Sequence, residues 1–194
     1  MTEEYDFDDG LGLVPAHRHV NPDGTAGGIV ADTATVDATA FVGPNATVGG
    51  NAQVRNHARI EDTARVIGTA KINGKARVFE NALVGGGAWV GITAQISGHA
   101  TVYDTAWVYD AATVKDEAIV RGHAKIRGRA VVADQSVVSD EMVIEDKVWV
   151  GGNSRLEGNQ TLDGEQEVVS GVIYETRFHA MINSLVELDT TIGI

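Results

Sequence analysis

The sequence predicts an all-β fold: a parallel β-solenoid of triangular cross-section, built from one small unit repeated many times. Three observations predict it. From Ala34 to Ala130 every sixth residue is Ala, and from Val36 to Val168 every sixth residue is Val, Ile or Leu, with no insertion or deletion. The residue two places after that aliphatic position is mostly Gly or Asp, as at Gly68, Gly86, Gly98, Asp104, Asp110, Asp116, Gly122 and Asp134.

A period of six does not fit the turn of an amphipathic helix. In an extended segment, residues two apart share a face, so Ala-x-Val turns both small residues inward and the middle one outward. The remaining three positions must make a corner, and Gly and Asp tolerate tight or left-handed turns. Three such hexads close a coil of about 18 residues, each coil pairing in parallel with the next. About eight coils then give a rod of roughly 35–40 Å. Its lumen is narrow, which explains why Ala and Val fill it.

The chain divides accordingly. Residues 1–27 read as an acidic N-terminal segment followed by a loop, HRHVNPDGTAGG, leading into the first coil near Gly28. Residues 28–168 are the solenoid. After Ala130 the small position loosens to Ser136, Met142, Val148, Ser154, Gln160 and Gln166, as expected of a lumen that is closing. Residues 169–194 form a capping segment. There Phe178, Met181, Ile182, Leu185 and Val186 have helix-like spacing, with a final strand as the alternative. An end cap is needed because an open solenoid exposes strand edges.

Composition bounds the partners. The 194 residues include no Cys, which excludes disulfides and thiolate metal sites. The acidic start and the lack of a long apolar run predict a soluble protein without signal peptide or membrane span, cytoplasmic unless carried on a particle. The net charge is −12. The first ten residues hold five acids, and from Asp140 onward eleven acids face Lys147, Arg155 and Arg177. A basic stretch with Arg55, Arg59, Arg65, Lys71, Lys75 and Arg77 lies between. An acidic chain is a poor sequence-general nucleic-acid binder. A DNA-mimicking decoy would need one continuous acidic stripe, and the acids here cluster at the ends.

The aliphatic residue followed four places later by a small one, as in Val36 and Ala40, Val54 and Ala58, Val102 and Ala106, resembles the hexapeptide-repeat family of the trimeric LpxA-like superfamily. The resemblance implies a single-stranded left-handed parallel β-helix and a homotrimer. As the alternative, it implies an acyltransferase or a zinc carbonic anhydrase, each with histidines at a subunit seam. Hexads of the form GNAxV and GHAxV after HxHxNPDGTxGG are similar to phage-encoded repeat proteins, which implies a virion fibre, spike, tail part or head appendage.

The histidines are the candidates for chemistry. His57, His99 and His123 share one hexad position, but their separations are not multiples of eighteen, so they fall on three different corners. A zinc site needs three or four ligands about one point. His17 and His19 are only two ligands on a predicted loop. Asp104, Asp110 and Asp116 point from successive corners, as do Asp134, Asp140 and Asp146, and read as turn formers. Gly85, Gly86 and Gly87 are a corner and no nucleotide motif. No catalytic residue, metal or cofactor is assigned, and the enzyme reading is disfavoured.

The outward positions carry the functional expectation. One face reads Gln53, Lys71, Trp89, Trp107, Lys125, Val143 and Thr161, with Tyr109 beside the tryptophans. The next reads Thr47, Arg65, Leu83, Thr101, Ile119, Val137 and Arg155, with Ile67 and Tyr103 also outward. A third carries Phe41, Val131 and Trp149. Trp89, Trp107, Tyr109, Tyr103, Leu83 and Ile119 form the candidate binding surface, an apolar band of the kind a partner covers. The reading is a non-enzymatic structural or adhesive rod, homotrimeric, with other virion proteins or host-surface glycans as further partners.

Overall fold

The computed structural model describes residues 3–173, and in them the chain is a parallel β-solenoid without helix. Each coil contributes one two-residue strand to each of three sheets. Pairing advances by eighteen residues per rung, as in Gln53↔Lys71↔Trp89↔Trp107↔Lys125. Face 1 runs from Ile29–Val30 through Leu83–Val84 to Val172–Ile173, face 2 from Thr35–Val36 to Thr161–Leu162, and face 3 from Phe41–Val42 to Glu167–Val168.

The inward residues form one continuous core. Ala40 to Ala130 and Val42 to Val150 are almost wholly excluded from solvent at their sixfold positions. Ser136 and Ser154 take the small position near the C-terminal end, and each hydroxyl donates to a corner carbonyl, of Ala133 and Gly151. Gln160, where the lumen loosens, is partly exposed.

The corners obey a strict rule. Every sixth residue from Gly50 to Gly164 has positive φ, including Asp104 at 58° and Asp110 at 60°. In the first coil the same positions are Asp32, Ala38 and Pro44, and none takes positive φ. The acidic corners also wire coil to coil. Asp104 Oδ2 accepts the Gly122 N–H at 3.0 Å, Asp110 that of Gly128 at 3.1 Å, Asp140 that of Gly158 at 3.1 Å and Asp146 that of Gly164 at 3.1 Å. Turn tolerance was only half the reason for Asp.

Ile92 is the misfit of this series. It is a β-branched residue at φ 63° and 48% exposed, directly below Asp110 on its corner. Left-handed backbone costs an L-residue about 1–2 kcal/mol, and Asp bears it better. Ile92→Asp should therefore raise the melting temperature by about 2–8 °C. A fall in a thermal scan would contradict the corner rule.

The N-terminal segment corrects one expectation. The stretch read as a loop is an antiparallel hairpin: β1 (Glu3–Asp6) pairs with β2 (Leu13–Val20), and β2 pairs with β3 (Ala26–Ala31). The turn is held by Asp23, which accepts from the Thr25 hydroxyl at 2.6 Å and the Thr25 N–H at 3.0 Å. These bonds keep its carboxyl below the usual range. Through β3 the hairpin extends face 1, since Ile29 pairs with Thr47.

The hairpin also closes the open edge of face 3. A register shift between Arg18 and Val20 turns His19 inward, where its Nε2 lies 3.2 Å from the Ala40 carbonyl. Asn21 Oδ1 accepts the Val42 N–H at 2.9 Å. Two side chains thus stand in for a missing strand, answering backbone groups that are costly to bury alone.

At the other end the ladder slips. Arg155 pairs with Val172, seventeen residues on, so the last coil is one residue short. The helix expected around 178–186 lies outside the described residues.

Candidate functional site

The outward position of each strand alternates with the lumen residues, so the coils among the described residues expose three columns and three corners. Face 2 carries the aromatic cluster. The Trp89 and Trp107 ring centroids are 5.5 Å apart at 63°, and Tyr109 lies 5.7 Å from Trp89 and 6.5 Å from Trp107. Lys125 Nζ stands 5.7 Å from the Trp107 ring. Tyr109 and Glu145 both bond the Arg127 guanidinium, raising its pKa above the ordinary value.

The three tryptophans are not equivalent, and the reason is the residue two places on. In Trp89-Val90-Gly91 a Cβ on Gly91 would sit 2.8 Å from the indole, and in Trp149-Val150-Gly151 one on Gly151 would sit 2.1 Å from it. Those rings lie down on bare backbone and are half-buried. After Trp107 comes Tyr109, so that ring cannot lie down, and Trp107 is 46% exposed.

A groove of about 480 Å³ opens beside it, lined by Thr105, Trp107, His123, Lys125 and Glu141. The Thr105 hydroxyl lies 2.5 Å from His123 Nδ1.

Leu83 and Ile119 lie two rungs apart on face 1, separated by Thr101, with Ile119 37% exposed. Tyr103 sits at the corner between faces 1 and 2 and is 40% exposed. Its ring covers Gly85, where a Cβ would meet it at 2.3 Å and Ile67 at 3.2 Å. Ile67, expected on the outside, is therefore only 7% exposed. Phe7 does the same for Gly49 lower on this corner, and its carbonyl accepts from Arg65.

The histidines do not converge. His57, His99 and His123 are exposed on three different corners. His17 pairs with Asp32 at 2.7 Å, while His19 faces the Ala40 carbonyl, so the H-x-H pair has two separate partners. Among the described residues no three His, Cys, Asp or Glu side chains gather as a metal site. In the basic stretch, Arg59 and Arg77 share Glu61 and lie over Phe41 and Phe79.

Sequence reasoning missed the capping roles of His19 and Asn21 and the acceptor role of the corner aspartates. The second was readable, because Asp104, Asp110, Asp140 and Asp146 are each followed eighteen residues later by Gly. The first was not, because it depends on a register shift inside β2.

The family model for the GMPPB C-terminal domain matches residues 26–127, more than half of the chain. The chain belongs to the GMPPB C-terminal domain family. No curated protein matches it. The GMPPB C-terminal domain match opens at the first residue of β3 and runs into the coil that carries Lys125. It therefore contains Trp89, Trp107, Tyr109 and His123, whereas Glu141 lies beyond it. No helix among the described residues is long and apolar enough to cross a membrane.

Proposed function

We propose that this chain is a non-catalytic rod that self-associates through face 1 into a homotrimer and presents its remaining sides to partners. The observation that supports this is the outward column of face 1. Between Arg65 and Arg155 it reads Leu83, Thr101, Ile119 and Val137, an uncharged, mostly aliphatic strip over four rungs. Lower down, Phe7 and the segment around it already cover this side of the rod. A second copy supplies the equivalent cover above, and such strips are depleted in charge as interface cores are. Three copies follow from the hexapeptide-repeat resemblance.

The test is the mass in solution by light scattering. The native protein should weigh about three times the 20.5 kDa chain, and Ile119→Arg should reduce it to one chain while leaving the circular dichroism unchanged. A native monomer would sink the proposal. Placement on a phage particle, implied by the N-terminal motif, belongs to the same proposal and is checked by copurification with particles.

A second reading is an acyltransferase-like site at a subunit seam. It draws on the family match and on His123, which shares the groove with Glu141 and contacts the Thr105 hydroxyl. Acyl transfer that is abolished by His123→Ala with the trimer intact would favour it.

A further inference from the structure

We propose that the groove beside Trp107 is a subsite for the rings of a neutral oligosaccharide. A pyranose offers an apolar C–H face and a rim of hydroxyls, each of which both donates and accepts. The groove presents the complement: an indole 46% exposed, the Lys125 ammonium as donor, the Glu141 carboxylate as acceptor, and the Nε2 of His123, whose Nδ1 is engaged by the Thr105 hydroxyl. Its volume of about 480 Å³ falls within the range of small-molecule sites.

Charge selects among ligands that stack on indole. Lys125 and Glu141 bring one charge of each sign to the lining, so the groove holds no excess of cations to draw a phosphate or a uronate, and Glu141 opposes both. The indole is held edge-on by Trp89 and Tyr109, so little side-chain freedom is lost when a ring docks. Lys125 already stands over it, but an exposed cation–ring contact of this kind is weak and readily gives way to hydroxyl bonding. Trp107 and Lys125 are rung neighbours on face 2, and Thr105 and His123 are their counterparts on the adjoining corner. The groove thus follows the rod axis with a rung every ~4.8 Å, a spacing a linear sugar chain can track.

Trp149 provides the internal comparison, since its ring lies flat on Gly151 and it should take no part. The aliphatic strip is the outward column of face 1, whereas this groove lies on face 2 and the corner that joins the two faces, so sugar binding and mass in solution are read separately.

The experiment is ligand-observed saturation-transfer NMR on the full chain. The probes are cellohexaose, maltohexaose and mannohexaose up to about 10 mM, a range that reaches weak specific affinities. Hexagalacturonate is the charged comparison, and light-scattering mass is read in parallel. At least one neutral hexasaccharide should give saturable transfer to native protein and to Trp149→Phe. Transfer should vanish in Trp107→Ala and weaken about tenfold in Glu141→Ala, whose side chain lies outside the strand ladder. Absence of transfer from all three, transfer that survives Trp107→Ala, or preference for hexagalacturonate would overturn the proposal. So would a drop in mass on Trp107→Ala, which would make the groove a contact between copies.

Discussion

Ala106→Leu should destabilise the rod by about 3 kcal/mol, measured as a shift of the urea midpoint. Ala106 is fully buried, and its rung neighbours Ala88 and Ala124 are equally enclosed. The ladder sets the distance to those neighbours, so the added carbons can go only into a lumen already filled by the Val and Ala of the other two faces. Relaxing one rung would strain the next through the same hydrogen bonds. The sequence supplies a control at the equivalent position of a later coil, where Met142 is buried without exposure. Met142→Leu keeps the volume and should cost less than about 1.5 kcal/mol. If Ala106→Leu were as mild as that control, the lumen would have to contain free space.

Gly28→Ala has a different cause and a similar size. The Gly28 backbone is not in a strained region, so the cost is one of approach. A Cβ there would stand 2.0 Å from the Ala46 carbonyl oxygen and 2.5 Å from that of Gly43. Both are backbone atoms of the next coil, and neither can turn aside as a side chain would. The expected result is separation of the hairpin from the first coil, a loss of about 3 kcal/mol, and new proteolytic cleavage within residues 21–31. Cleavage no faster than in the native protein would show that the first coil can shift to make room. Gly27 has the same role more mildly, with the Val42 carbonyl oxygen 2.7 Å from its added Cβ.

Much of the rod is legible in the sequence, because its core repeats. Ala100 and Val102 are inward for the same local reason as Ala40 and Val42, and one hexad read correctly reads them all. The corners were legible in kind, since Asp and Gly were expected to turn and do. What could not be read was whatever happens once. The bulge that turns His19 inward, the Asn21 side chain standing in for a strand, and the one-residue slip before Val172 have no second copy to reveal them. The candidate surface was half legible. The eighteen-residue spacing placed Trp89 beside Trp107, but only the packing on Gly91 and Gly151 separated the two rings that lie down from the one that stands.

Two nested periods therefore govern this chain, and they protect different things. Insert six residues of the form T-A-x-V-x-D anywhere in the middle and every inward position is still filled by a small or aliphatic residue, because the inward pattern returns after one hexad. Everything downstream, however, is turned by one third of a revolution. An insertion between Trp89 and Trp107 would take Trp107 out of the column of Trp89 and carry Lys125 along with it. Insert eighteen and both core and surface keep phase, with the rod merely longer by one step. Drift by hexads is thus invisible to the core yet rewrites the outside, so the length of a rod of this kind can change freely in whole coils while its binding faces stay aligned.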